Sequence, residues 1–84
     1  MTIQQFSAAT NYVQRTMVRF HGHFLLKKRE QGAYCLLYEV DGFYVVITYS
    51  ESSSHISSIK SYTLQEIDEY LSLIDISPIT DLLR

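Results

Sequence analysis

The sequence predicts an α+β domain of two layers, in which helices at the two ends of the chain pack on a central antiparallel sheet. Two runs of tyrosine and β-branched residues, Ala33–Val40 and Phe43–Ser50, flank Asp41-Gly42, a dipeptide typical of two-residue hairpin turns. On both sides of this hairpin, apolar residues recur at helical spacing. The predicted element order is α-β-β-β-α, with three strands in a meander, or four if one further segment is extended.

Length and composition predict one folded domain that spans residues 1–84. The chain has 84 residues, far fewer than the ~250 at which chains divide into domains. Hydrophobic residues make up 46% and charged residues 19%, a balance that excludes intrinsic disorder. The apolar runs are much shorter than the ~20 residues of a transmembrane helix.

The first predicted element is a single helix over residues 3–19. Thr2 is a suitable N-cap, and the apolar residues then follow at spacings of three or four. Gly22 is expected to end this helix in the left-handed conformation that glycine tolerates. The core stripe of the helix is Phe6, Ala9, Val13, Met17 and Phe20.

Residues 24–29 fit either a short edge strand or an extension of the helix. The turn signal Gln31-Gly32 that follows favours the strand. Three consecutive cations, Lys27, Lys28 and Arg29, would then discourage the edge from pairing with other chains.

Asp41-Gly42 also predicts the register of the central hairpin. A two-residue turn pairs Val40 with Phe43, and every earlier residue then has a defined partner. One face of the hairpin is wholly apolar or aromatic, and the other is mixed. The apolar face consists of Tyr34, Leu36, Tyr38, Val40, Phe43, Val45, Ile47 and Tyr49.

The last third of the chain predicts a strand and a helix. Residues 55–62 are interpreted as a bulged strand, with a helical turn as the alternative, because Ile56 and Ile59 are three positions apart and break strict alternation. Thr63 and Glu66 have the spacing of a capping box, so a helix should begin at residue 64. Both terminal helices are expected on the apolar face of the hairpin, and the alternative is one helix on each face of the sheet. Beyond the second helix, a break at Pro78 and a short apolar tail are expected, and the tail consists of Ile79, Leu82 and Leu83.

The residue inventory predicts neither catalysis nor a bound cofactor or metal. No nucleophile elbow, glycine-rich phosphate loop or zinc-protease motif is present. His21 and His23 could supply two imidazoles, but Cys35 and His55 have no local reason to converge on them, so the paired ligand spacing of zinc sites is missing. A lone cysteine and the absence of a secretory signal in the N-terminal stretch predict a cytoplasmic protein, and Cys35 is expected to be a buried apolar residue.

Charge is segregated along the chain. Residues 1–30 have a net charge of +4 and the remainder −6, which gives −2 overall. The basic patch consists of Arg15, Arg19, Lys27, Lys28 and Arg29. Together with the strand tyrosines, this patch suggests nucleic-acid binding, but the negative net charge and the lack of RNA-binding motifs argue against it.

The mixed face of the hairpin predicts an interaction surface. If both helices pack on the apolar face, nothing in a chain this short is left to cover the other. The predicted interface consists of Leu37, Tyr44, Val46, Phe24 and Leu26. We therefore expect a non-catalytic protein-interaction or regulatory module that forms a homodimer or binds another protein through the open sheet face. The alternatives are a nucleic-acid-binding protein and, second, a small enzyme of unknown class; no membrane partner is expected.

Overall fold

The structure is a computed structural model that describes residues 1–30, 32–53 and 55–72. The described helices are α1 (Ile3–Ala8), α2 (Asn11–His21) and α3 (Leu64–Ser72). The strands are β1 (Gly22–Glu30), β2 (Ala33–Val40), β3 (Phe43–Ser50) and β4 (Ile56–Tyr62). They form an open antiparallel meander in the order β1-β2-β3-β4, which confirms the α+β class and the four-stranded alternative. The predicted break at Pro78 and the apolar tail lie outside the described residues.

The N-terminal segment forms two helices where one was predicted. Thr10 is extended and caps α2, its hydroxyl accepting a hydrogen bond from the Val13 amide. The buried Gln14 side chain donates to the Phe6 carbonyl oxygen over 2.9 Å, which ties α2 to the end of α1. Because the break changes the helical phase, Val18 is buried in place of Phe20, which is exposed.

The central hairpin has the predicted register. Asp41 and Gly42 both have positive φ, 47° and 87°, as a type I′ turn requires. All pairs from Val40 with Phe43 to Ala33 with Ser50 are those that the turn predicts. The dipeptide therefore determines which side chains of β2 and β3 share a face.

Both outer strands contain a register shift. In β1, Phe24 pairs with Tyr38 and Leu26 pairs with Leu37, so Leu25 is an extra residue. The residues on either side of Leu25 therefore lie on opposite faces, although they are two positions apart. In β4, the predicted bulge is confirmed by a similar shift beside Tyr49.

Helices pack on both faces of the sheet, and not on one as predicted. We call the two sides the α1/α2 face and the α3 face. On the α1/α2 face the buried cluster is Phe6, Val18, Val40, Phe43, Val45 and Ile47. On the α3 face it is Cys35, Leu37, Val46 and Ile67.

The start of α3 shows how the chain reaches the second face. Thr63 alone separates β4 from the helix, and it forms the predicted capping box with Glu66. The Thr63 amide donates to the Glu66 carboxylate over 2.9 Å, and the Glu66 amide donates to the Thr63 hydroxyl over 3.2 Å. α3 then packs Ile67 against the sheet. No helix of the described residues has the length and apolar character needed to cross a membrane.

Candidate binding groove

A groove of about 740 Å³ lies between α2 and the α1/α2 face of the sheet. We call it the α2 groove. Residues of α2 form one wall. The floor is formed by residues of the first three strands, namely Gly22, Phe24, Tyr38, Ile47 and Tyr49. Its charged and aromatic lining residues include Tyr12, Arg15, Arg19, Phe20, Phe24 and Tyr38.

The aromatic residues at the rim of the α2 groove are exposed to a degree unusual for their size. Phe20 is 73% exposed and Phe24 is 56% exposed. The Phe24 ring packs edge-on against the half-buried Tyr38, with centroids 5.6 Å apart and an angle of 66° between the rings. Phe24 is thus held at the sheet surface while most of its area stays in solvent, as expected for a residue that contacts a ligand.

The α2 groove is also positively charged. Arg15 and Arg19 are four positions apart on α2, so they lie on the same side of the helix. Among the described residues, no acidic side chain lines the groove and neither arginine forms an ion pair. Their charges are therefore available to an anionic ligand.

Tyr38 is the lining residue of the α2 groove whose phenol has a shifted pKa. Burial raises the pKa of this phenol above its ordinary value, and the nearby Tyr49 raises it further. The phenol is therefore protonated at neutral pH and can donate a hydrogen bond to a ligand.

The predicted basic patch is divided among different contacts. Lys27 lies over the ring of Tyr34, with its Nζ atom 4.7 Å from the ring centroid. Tyr34 is paired across β2 and β3 with Tyr49. The two tyrosine rings stack, with centroids 5.4 Å apart. Arg29 forms an ion pair with Glu51. Lys28 lies opposite Cys35 in the register of β1 with β2, and this position is on the α3 face. Only Arg15 and Arg19 of the five predicted cations line the α2 groove.

The predicted interface on the mixed face is wrong at its centre. Leu37 and Val46 are only 4% and 5% exposed, because Ile67 of α3 packs against them. Leu26 and Tyr44 are half-buried beside the same cluster. Phe24 is exposed as expected, but the bulge at Leu25 places it on the opposite face, in the α2 groove.

Phe20 and Tyr12 belong to the α2 groove and were not predicted as functional residues. Phe20 was assigned to the core stripe of a single long helix. The sequence does contain a signal, because Tyr12, Arg15, Arg19 and Phe20 recur at spacings of three, four and one, on a second side of α2. Separating this stripe from the core stripe requires the helix break at Thr10.

Other chemistry in the described residues is limited. Cys35 is buried, as predicted, and its sulfur lies 3.5 Å from the Thr48 hydroxyl. The described part of the chain contains no group of three or more histidine, cysteine or acidic side chains placed to hold a metal ion.

The sequence matches no protein-family model, and no curated protein or solved structure is significantly similar to it. The functional argument therefore depends on the geometry and the chemistry of the α2 groove.

Proposed function

We propose that this chain is a small non-catalytic binding module, and that it binds another protein through the α2 groove. The supporting observation is the combination of exposed aromatic rings, Phe20 and Phe24 above all, with two arginines that have no acidic neighbour in the groove among the residues that the structure describes. Aromatic residues and arginine are enriched at protein interfaces and account for much of their binding energy. Large apolar side chains on one exposed surface are otherwise unfavourable in a small domain.

Nucleic-acid binding is the alternative, and the contacts of the sheet tyrosines argue against it. Bases need an open ring face on which to stack. Tyr34 lies between Lys27 and Tyr49, so its ring is already in contact on both sides. With only Arg15 and Arg19 in the α2 groove, few phosphates can be neutralised, and the net charge of −2 is unfavourable for a polyanion.

Self-association remains a prediction, and the α2 groove makes it less favourable than binding a different protein. A two-fold symmetric dimer places the same surface of each copy against the other. Packing groove against groove would bring Arg15 and Arg19 of both copies close together, and like charges across an interface oppose association. The α3 face offers less apolar surface than expected, because Leu37 and Val46 are buried.

The proposal is tested by capturing partners with groove variants. Phe20→Glu and Phe24→Glu place a carboxylate in the α2 groove, and Leu64→Glu is the matched control, because Leu64 is 66% exposed and lies on α3. Immobilised wild-type chain and each variant are incubated with lysate of the native host, and bound proteins are quantified by mass spectrometry. We expect a partner whose recovery falls at least about tenfold with both groove variants and is unchanged with the control.

Two outcomes contradict the proposal. One is a partner that binds all variants equally, which would place the interface elsewhere. The other is light scattering that reports a stable dimer disrupted by Phe24→Glu and not by Leu64→Glu, which would make a second copy the ligand. Circular dichroism of each variant shows whether the fold is retained, so that lost binding is not confused with unfolding.

A further inference from the structure

We infer that the ligand of the α2 groove is an acidic, extended segment of a partner protein, which pairs with the free edge of β1. This inference depends on the proposed function and specifies its partner. Two independent observations support it: the positive charge of the described lining of the α2 groove, and the adjoining edge of β1, beside which the described residues place no strand.

The charge of the α2 groove requires an acidic ligand. In the part of the chain that the structure describes, no carboxylate lines the groove beside Arg15 and Arg19, so a neutral or basic segment would leave their charges without partners. On one side of a helix, residues four apart have Cβ atoms about 6 Å apart. In an extended segment, alternate residues on one face are about 6.5 Å apart, a similar spacing. Carboxylates at alternate positions therefore match the two guanidinium groups.

The edge of β1 favours an extended conformation of the ligand. In the described residues β1 pairs only with β2, so its other edge presents backbone groups that have no strand beside them. Gly22 and Phe24 of β1 also line the α2 groove, so the edge and the groove are continuous. A segment added to this edge gains main-chain hydrogen bonds, and its alternate side chains contact the groove.

The exposed aromatic residues give the segment its apolar contact. Phe20 at the end of α2 and Phe24 near the start of β1 lie on either side of Gly22, and both rings are mostly solvent-exposed. An apolar side chain from the ligand can bury both rings at once. Because every second residue of an extended strand faces the same side, the inferred recognition pattern has acidic residues at two alternate positions and an apolar residue at the next position on that side, and it leaves the intervening residues unspecified.

The first experiment selects ligands from a random dodecapeptide library displayed against the folded full chain. We expect enriched peptides to have Asp or Glu at two alternate positions and an apolar residue at a further position of the same parity, and to bind Arg15→Glu at least about tenfold more weakly than wild type. Lys60→Glu is the matched control, because it makes the same change in charge at an exposed position of β4. Enrichment of neutral or basic peptides, no enrichment, or equal losses with both variants would overturn the inference.

A single-stranded oligonucleotide of similar length tests the other class of polyanion. We expect it to bind at least about tenfold more weakly than the selected peptides at physiological salt. If it binds more tightly, with a steep salt dependence and with sensitivity to Arg15→Glu, the ligand is a nucleic acid and the inference is wrong.

The second experiment tests strand addition separately from groove binding. Alternate backbone amides of the best selected peptide are N-methylated, first at one parity and then at the other. In a strand paired on one edge, amides of one parity donate to the neighbouring strand and those of the other parity face solvent. We expect methylation to abolish binding at one parity only.

The outcomes separate the inference from the proposed function. If both methylated peptides bind normally while Phe24→Glu still prevents binding, the α2 groove is the binding site but strand addition to β1 is wrong. If Phe24→Glu and Arg15→Glu both leave peptide binding unchanged, the proposed function fails together with the inference.

Discussion

Gly22 lies where α2 passes directly into β1, and its backbone is extended, with φ −82° and ψ 146°. The predicted left-handed cap is therefore wrong, and the requirement for glycine is steric. The Gly22 amide donates to the Val18 carbonyl, and a Cβ at position 22 would lie 2.4 Å from that carbonyl oxygen. This close approach lets the chain turn from helix to strand without a loop, which brings Phe20 and Phe24 to the same groove.

Substitution at Gly22 tests whether glycine is needed there for lack of space, as the structure indicates, or for a left-handed backbone, as the sequence predicted. We expect Gly22→Ala to lower the free energy of unfolding by about 1–3 kcal/mol, because the added methyl group must displace backbone. Gly22→Asn should cost at least as much. Both are measured by urea denaturation followed by circular dichroism.

The control position is Gly42, which has a positive φ and no neighbouring atom within 4 Å of an added Cβ. Asparagine tolerates the left-handed conformation, so Gly42→Asn should cost less than about 1 kcal/mol. Equal effects of asparagine at the two positions would show that position 22 has room for a side chain, and the steric explanation would then be wrong.

At the scale of elements, the hairpin could be predicted from the sequence because its determinant is local. Asp41-Gly42 selects a turn of two residues, and the turn sets every pair of β2 with β3. The face to which α3 docks is not determined locally. The apolar stripe of α3 fits either side of the sheet, and the choice depends on how much apolar surface α1 and α2 leave uncovered.

The α2 groove could be predicted only in part, for a related reason. Arg15, Arg19 and Phe24 were recognised as binding residues, but they were assigned to different surfaces. In the run Phe24-Leu25-Leu26, all three residues are apolar, so nothing in the alternation indicates which one is the bulged residue. That one position decides whether Phe24 lies on the α1/α2 face or on the α3 face.

Truncation of Ile67 tests how α3 is held. Ile67 is the buried residue of α3 that belongs to the cluster of Leu37 and Val46. We expect Ile67→Ala to lower the free energy of unfolding by about 2–4 kcal/mol, because it leaves a cavity between helix and sheet. Leu64→Ala, one turn earlier and 66% exposed, should change it by less than about 0.5 kcal/mol. Similar results from the two variants in urea denaturation would show that α3 does not cover this face.

A charged residue beneath α3 extends the test. Val46→Lys would be tolerated if the α3 face were an open interaction surface. Because Val46 is 5% exposed and packs in the α3-face cluster, we expect this variant to lose cooperative unfolding or to unfold altogether. A folded, stable Val46→Lys protein would restore the predicted open interface.

At the scale of the whole molecule, the sheet is a middle layer, and helices and tyrosines cover part of each of its two faces. Tyr38 lies on the α1/α2 face and packs against the cluster there. Tyr62 lies on the α3 face and stacks on Tyr70, with centroids 5.4 Å apart. Burial raises the pKa of both phenols. Nearby Tyr49 raises that of Tyr38 further, and Cys35 and Glu66 raise that of Tyr62.

Because the pKa values of these two tyrosines are raised in the folded state, we expect the free energy of unfolding to decrease at alkaline pH. A phenol with a raised pKa in the folded state binds its proton more tightly there than in the unfolded chain, so unfolding is favoured once the unfolded phenol ionises near pH ~10. The stabilisation is complete below that pH and is lost as the pH rises through the folded-state pKa. We therefore expect the free energy of unfolding in urea to fall between about pH 9 and about pH 11, and to fall less in the variant with both Tyr38→Phe and Tyr62→Phe. Tyr12→Phe, at an exposed position on α2, is the control and should have the same pH dependence as wild type. Lysine side chains also ionise in this range, but they are the same in all three proteins and cancel in the comparison. A double variant with the same loss as wild type would mean that neither phenol is protected by packing on its face of the sheet.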